Sequence, residues 1–144
     1  MYQQKFGAYQ RSDVLTADPM ALVLICYNAA ISNLKIAKAR YLDKQYEAKA
    51  IAINKALDII SELLSGLNFE KGGDIAKNLD AIYRYLLNRI SQGDVTQDLS
   101  PLDEAITILE KLREAWNTIN SSKNHGKTTQ PVPQHSRLQA MRMA

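Results

Sequence analysis

The sequence predicts an all-α protein, an antiparallel four-helix bundle with an N-terminal arm and a disordered C-terminal tail. Hydrophobic residues make up 46% of the 144 residues, whereas only six are glycine and four are proline. Four long stretches are rich in Ala, Leu, Ile, Lys and Glu, and their apolar residues recur every three or four positions, as on one face of a helix. Because the connections between these stretches are short, neighbouring helices should run antiparallel.

The first two helices have recognisable ends. The first should begin at Asp18-Pro19, because an aspartate can cap free amides and proline needs no N–H in the first turn. It should end near Leu42. The second should span about residues 45–67, where Gly66 and Asn68 can supply the left-handed residue that ends a helix.

The third and fourth helices follow a loop at residues 68–73. The third should run over about residues 74–92, with Gly93 past its end. The fourth should begin at Ser100-Pro101 and end near Asn120. We therefore divide the chain into an arm (1–17), a bundle (18–120) and a tail (121–144) that is too polar to repay the entropy of ordering.

Each predicted helix carries one apolar seam that should face a shared core. The seams are Val23, Tyr27, Ala30, Leu34, Ala37 and Tyr41; Ile53, Ala56, Ile60, Leu63 and Leu67; Ile75, Leu79, Ile82, Leu86 and Ile90; and Leu102, Ala105, Leu109, Leu112 and Trp116.

Apolar residues also lie outside the seams, and on the first helix they form a second stripe roughly 150° from the first, at about 100° per residue. This surplus could be covered by a wider core, the arm, a second copy of the chain or a partner. We assign the following off-seam residues to partner contact: Leu22, Ile25, Ile36, Ile51, Ile59, Tyr83, Leu87, Ile108 and Ile119.

The N-terminal arm also has apolar anchors in an otherwise polar segment. A tethered segment of this kind competes at high effective concentration yet can leave when a better-fitting helix arrives. We therefore expect the arm to cover a groove when no partner is bound. Its anchors are Tyr2, Phe6, Tyr9, Val14 and Leu15.

Charge and hydropathy argue against nucleic-acid binding and membrane insertion. Residues 1–120 contain fourteen basic and fifteen acidic side chains, so the net charge of +3 comes from the tail. A folded domain with a net charge of −1 lacks the basic surplus typical of nucleic-acid binding. The longest apolar run, residues 20–27, is far shorter than the roughly 20 residues that span a bilayer. With no signal peptide, we expect a cytosolic protein.

Catalytic and metal-binding patterns are not found. Both histidines, His125 and His135, lie in the tail, and the single cysteine, Cys26, sits in an apolar run where a small core residue is expected. Gly126-Lys127-Thr128 resembles the end of a phosphate-binding loop, but the required first glycine is replaced by Ser121. We expect no enzyme activity, no cofactor and no metal site.

Several segments of the chain together carry a family resemblance. They include the arm ending in Thr16-Ala17-Asp18-Pro19 with the apolar residues 22–30 after it, residues 55–63, and residues 109–116 ending in Ala115-Trp116. The most specific stretch runs from Glu70-Lys71-Gly72-Gly73 to Tyr83-Arg84-Tyr85. Together these segments resemble the FliS family of flagellin-specific export chaperones. The resemblance covers about residues 9–120, although Tyr27-Asn28-Ala29 departs from the common Tyr-Asp-Gly and Ser91-Gln92-Gly93 from the common Ala-Asn.

The resemblance implies a cytosolic chaperone that binds the C-terminal segment of flagellin, prevents premature polymerisation and supports delivery to the flagellar type III secretion apparatus. It also implies contacts with the export gate and, in some lineages, with flagellar regulatory proteins. The residues alone leave open an alternative, a helical adaptor or self-associating bundle, including a homodimer, that binds through the same apolar grooves.

Overall fold

The computed structural model describes residues 19–124, which form four helices: α1 (Pro19–Leu42), α2 (Tyr46–Ser65), α3 (Phe69–Val95) and α4 (Ser100–Asn124). Each helix packs against the next in chain order, and α4 packs back against α1, so the four close around one core. The predicted all-α four-helix bundle is confirmed. The arm and residues 125–144 of the tail, with the predictions made for them, lie outside the described residues.

Most seam residues are buried, as their spacing predicts. All of the α4 seam except Trp116 and all of the α2 seam except Leu67 lie in the core. On α1, Val23 and Tyr41 at the two ends of the seam are half-buried. Filling one contiguous core from four helices is the main favourable term in the stability of such a bundle.

The core face of α3 is rotated from the predicted seam. Tyr83 and Ala76 are buried, whereas Ile82 and Ile75 are only half-buried. The hydroxyl of Tyr83 lies 2.7 Å from the hydroxyl of Tyr27 on α1, so its polar group is satisfied inside the core. Apolar spacing alone favoured Ile82 because the prediction took no account of this buried hydrogen bond.

The segment predicted as a loop is mostly helical. The side chain of Asn68 accepts a hydrogen bond from the backbone N–H of Lys71 at 2.9 Å, which caps α3 so that the helix begins at Phe69, five residues earlier than expected. Gly73 then interrupts the helix with φ 50° and ψ −124°. This left-handed φ favours glycine. It explains why the pair Gly72-Gly73 led to the prediction of a loop.

Two helix ends also differ from the sequence prediction. Gly93 does not end α3, which continues to Val95; it is buried, and an added Cβ would lie 2.6 Å from Leu102 on α4. Its role is close packing between α3 and α4. Helix α4 continues to Asn124, so residues 121–124, assigned to the disordered tail, are helical.

The start of α4 is capped by a different residue from the one expected. Ser100 is the first helical residue. The carboxylate of Asp98 accepts hydrogen bonds from the backbone N–H of Ser100 at 3.0 Å and from the Ser100 hydroxyl at 2.8 Å. These bonds lower the pKa of Asp98. An aspartate at this position satisfies an amide that the helix leaves free.

Within residues 19–124, α1 is the one helix long and apolar enough to cross a membrane by length and composition. The short apolar run did not predict this. It is weak evidence, because a core helix passes the same test, and Tyr27, Ala30 and Leu34 of α1 are fully buried in the bundle. Helix α1 is apolar well beyond its core seam.

Candidate functional site

The second apolar stripe of α1 lies on the outer face of the bundle. Leu22 and Ile25 are half-buried, and Ile36 is 43% exposed. Ile25 and Ile36 are eleven residues apart, about three turns, so they share one flank of the helix. This flank is distinct from the core seam.

Ion pairs show which side of α1 faces α4. Lys35 Nζ lies 3.5 Å from Glu110, and Lys38 pairs with Asp103, both on α4. At about 100° per residue, Ile36 lies beyond these lysines, on the outward side nearer α2. The stripe therefore borders the groove between α1 and α2.

Helix α2 contributes Ile51, which is 52% exposed, to the same groove. Ile51 shares a flank with Glu62, eleven residues later, and Glu62 lies beside Cys26 of α1 in the wall of one cavity. Ile36 precedes the end of α1 by six residues and Ile51 follows the start of α2 by five, so the antiparallel pair brings them to a similar level. We call Leu22, Ile25, Ile36 and Ile51 the α1–α2 surface.

Three of the predicted contact residues instead belong to the core. Ile59, Tyr83 and Ile119 are 5%, 1% and 8% exposed, respectively. Their assignment to a surface is corrected by this burial, since a core wider than one stripe per helix accommodates them. Tyr83 retains one link to the surface, because it lines the cavity described below.

Leu87 and Ile108 are half-buried against the core and lie away from the α1–α2 surface. Ile108 is on the α3 flank of α4, one turn after Glu104. There the Tyr85 hydroxyl and Arg89 Nε donate hydrogen bonds to Glu104 at 2.7 and 2.6 Å, and these bonds lower the pKa of Glu104. A polar network therefore lies one turn before Ile108 on α4.

A cavity of about 530 Å³ opens at the end of the α1–α2 surface that contains Leu22, where α1 begins and α2 connects to α3. Such a volume is typical of protein pockets that hold ligand groups. The sequence analysis did not find it, although the small residues Gly66, Gly72 and Ala76 in its wall were a signal that space is left there. Its apolar walls include Leu22, Val23, Leu63, Leu67, Ile75, Leu79 and Trp116.

Two aromatic residues with polar groups, Tyr83 and Trp116, line this cavity. The Tyr27 and Tyr83 hydroxyls bond to each other, and burial raises the pKa of both. The Trp116 indole N–H opposes the rise in the pKa of Tyr27. This N–H is buried and has no hydrogen-bond partner of good geometry within residues 19–124. A donor without an acceptor is costly in the core.

Glu62 and Cys26 both line the cavity, and the negative charge of Glu62 acts on the Cys26 thiol. Burial raises the pKa of Cys26 to about 12, with a smaller contribution from the negative charge of Glu62. Cys26 is 3% exposed, which confirms the prediction of a core residue. Burial also raises the pKa of Glu62, and no cation among the described residues forms an ion pair with it, although Lys71 lines the same cavity.

This arrangement suits binding to an apolar protein segment. Within the described part of the chain, no group of three or more His, Cys, Asp or Glu side chains could hold a metal ion. The cavity combines apolar walls with a few polar groups, and the surface beside it follows the length of α1. An amphipathic helix docks in grooves of this kind through residues spaced three or four apart.

Comparison with known proteins gives consistent matches. The family described as Flagellar protein FliS matches residues 2–123. A flagellar secretion chaperone FliS of Vibrio cholerae is 38% identical over 108 residues, covering 75% of this chain and 79% of the relative. The flagellar secretion chaperone FliSB of Pseudomonas aeruginosa is 33% identical over 119 residues, covering 83% and 92%. FliS of Salmonella typhimurium is 34% identical over 110 residues, covering 76% and 82%.

Proposed function

Because this chain belongs to the FliS family of flagellar secretion chaperones, we propose that it binds the C-terminal segment of flagellin in the cytosol. It then prevents premature polymerisation and supports delivery of flagellin to the flagellar type III secretion apparatus. The observation that carries this proposal is the α1–α2 surface, an apolar surface outside the core, together with the cavity at its end.

The mechanism follows from the shape of the site. A flagellin segment that is unfolded in the monomer folds into a helix as its apolar side chains reach the groove. Such coupled folding typically buries about 1,000–3,000 Å² and costs about 2–5 kcal/mol in ordering. The apolar face that would otherwise join other flagellin subunits is then covered, while the affinity stays low enough for release.

The length of the site fits several turns of such a helix. From Leu22 to Ile36 the surface spans fourteen residues of α1, about 21 Å at 1.5 Å per residue. Ile51 adds a contact from the opposite side of the groove. A docked helix of about four turns would therefore touch both α1 and α2, and one of its apolar side chains could enter the cavity.

We also propose that the arm, through Phe6, Tyr9, Val14 and Leu15, covers part of the α1–α2 surface when flagellin is absent. The arm precedes Pro19, which lines the cavity, so the arm joins the bundle beside the site. Deleting residues 2–17 should raise the affinity for flagellin or promote self-association. Unchanged affinity and unchanged self-association would remove the arm from the mechanism.

The function is tested by co-purifying the full chain with flagellin of the same organism and by following flagellin polymerisation in its presence. We expect the unchanged chain to retain flagellin and delay polymerisation, and Ile51→Asp to do neither. Asn88→Asp places the same charge at an exposed position of α3 and should behave like the unchanged chain. Retention by Ile51→Asp and Asn88→Asp alike would exclude the α1–α2 surface, and no retention by any form would exclude the function.

A further inference from the structure

The cavity and the C-terminal end of α4 lie at the same end of the bundle. Trp116, the only tryptophan in the chain, lines the cavity. It precedes the last residue of α4, Asn124, by eight positions, about 12 Å along the helix axis. Residues 125–144 therefore leave the bundle close to the cavity.

This end of the bundle carries an acidic surplus. Residues 58–77, which span the end of α2 and the start of α3, contain four acidic side chains against two lysines, a net charge of −2. The first part of α1, residues 19–34, carries no charge, and the last part of α4, residues 113–124, contains Arg113, Glu114 and Lys123, so these three segments together have a net charge of −1. The four acids are Asp58, Glu62, Glu70 and Asp74.

Glu62 makes this acidic surplus part of the cavity. Its carboxylate lies in the apolar wall between α1 and α2, partly removed from water, and no described cation forms an ion pair with it. A partly desolvated carboxylate is stabilised by a cation that reaches it. The cavity therefore fits a segment that combines apolar and positively charged side chains.

Residues 125–144 have this composition. They contain Lys127, Arg137 and Arg142 and no acidic side chain, and Leu138 and Met141 follow the spacing of one helical turn. From Asn124 to Arg137 the chain can span up to about 43 Å, more than enough to return to the cavity. The arm is less suited on charge, since residues 1–18 contain two basic and two acidic side chains.

We propose that residues 125–144 dock on the cavity end of the bundle, placing a basic side chain at Glu62 and Leu138 or Met141 against the apolar wall. Docking covers the cavity when no partner is present. A tethered segment competes at millimolar effective concentration. If flagellin binds where we propose, the tail therefore lowers the apparent affinity for flagellin until the cargo displaces it.

The fluorescence of Trp116 tests this docking in the full chain. Neutralising the tail with Lys127→Gln, Arg137→Gln and Arg142→Gln should shift the Trp116 emission to the red and increase its quenching by acrylamide. Leu138→Asp should act in the same direction. The unchanged chain should approach the same emission at about 1 M salt, where the Debye length falls to about 3 Å.

Matched variants identify the partners of the tail. Neutralising the arm with Lys5→Gln and Arg11→Gln should leave Trp116 unchanged. In a Glu62→Gln background, neutralising the tail should have no further effect, because the two changes remove one interaction. The control Glu47→Gln, at the opposite end of α2, should leave the effect of the tail intact. Circular dichroism checks that each variant keeps its helical content.

The proposal is overturned if neutralising the tail leaves Trp116 unchanged, if the arm variant produces the shift, or if the tail effect persists in full with Glu62→Gln. Flagellin binding is measured separately on the same proteins. Tail docking with no flagellin binding in any form would reject the proposed function alone. Flagellin binding with no tail effect on Trp116 would reject the docking alone.

Discussion

At the scale of single residues, the pair of buried tyrosine hydroxyls is the main polar feature of the core. Tyr27 and Tyr83 are 0% and 1% exposed, and they lie 56 positions apart in sequence. Periodicity placed Tyr27 in the core but not Tyr83, because Ile82 continues the apolar spacing of α3 and Tyr83 does not. Long-range polar pairs of this kind escape a prediction based on apolar spacing alone.

The tyrosine pair gives a double-mutant prediction. Either Tyr27→Phe or Tyr83→Phe leaves one buried hydroxyl without its partner and should cost about 1–3 kcal/mol of unfolding free energy. The double variant should cost less than the sum of the two, because both hydroxyls are then gone. Urea unfolding of the four proteins measures this. Costs that simply add would show that the hydroxyls do not interact.

Cys26 gives a second prediction at this scale. Burial raises its pKa from 9.0 to about 12, so at pH 8 the folded chain holds roughly 10³-fold less thiolate than the unfolded chain. A thiol reagent should therefore react far more slowly with the native protein than with the urea-unfolded protein. Similar rates at pH 8 would mean that the Cys26 side of the cavity is open to solvent.

The same pKa shift fixes the pH dependence of stability. Because the folded pKa of Cys26 is raised, its contribution to stability is complete below about pH 9 and is lost as the pH rises from 9 towards 12. The buried Tyr27 and Tyr83 hydroxyls, whose pKa values are also raised, act in the same direction. The unfolding free energy should therefore fall steadily in alkaline solution.

At the scale of helices, their number and most boundaries could be predicted from the sequence. Caps, prolines and apolar spacing located the start and end of α1 and the start of α4. Both errors in α3 fall at glycines, because Gly73 lies within α3 and Gly93 packs against α4 instead of ending α3. Glycine marks both helix ends and close contacts, and only the position of the neighbouring helix distinguishes them.

Gly93 allows this distinction to be tested. In Gly93→Ala the added Cβ would lie 2.6 Å from the fully buried Leu102, so α3 and α4 must separate or Leu102 must leave its rotamer. We expect a cost of about 1–3 kcal/mol in unfolding free energy.

A control glycine lies at the end of α2. An added Cβ at Gly66 would meet its nearest neighbour at an ordinary 3.4 Å, and the backbone φ of −86° is open to alanine. Gly66→Ala should therefore leave stability unchanged or raise it slightly. Equal effects of Gly93→Ala and Gly66→Ala in urea unfolding would contradict close packing at Gly93.

At the scale of the whole molecule, the bundle fold and the presence of surplus apolar surface were predictable, but the shape of that surface was not. Six of the nine candidate residues are at least partly accessible, whereas Ile59, Tyr83 and Ile119 lie in the core. Helical spacing gives the direction of a side chain relative to its own helix. It does not give the width of the core, which depends on how the four helices pack, and it does not show a cavity at their ends.

The central claim is that the α1–α2 surface and its cavity bind a flagellin segment. Calorimetry of the full chain against a synthetic peptide of about 40 residues from the flagellin C-terminus tests it most directly. Burying a charge in an apolar interface is costly. We therefore predict saturable binding with a negative heat-capacity change, weakened at least about tenfold by Ile51→Asp and unaffected by Asn88→Asp. Binding of the same strength in Ile51→Asp, or no heat of binding with the unchanged chain, would contradict the account.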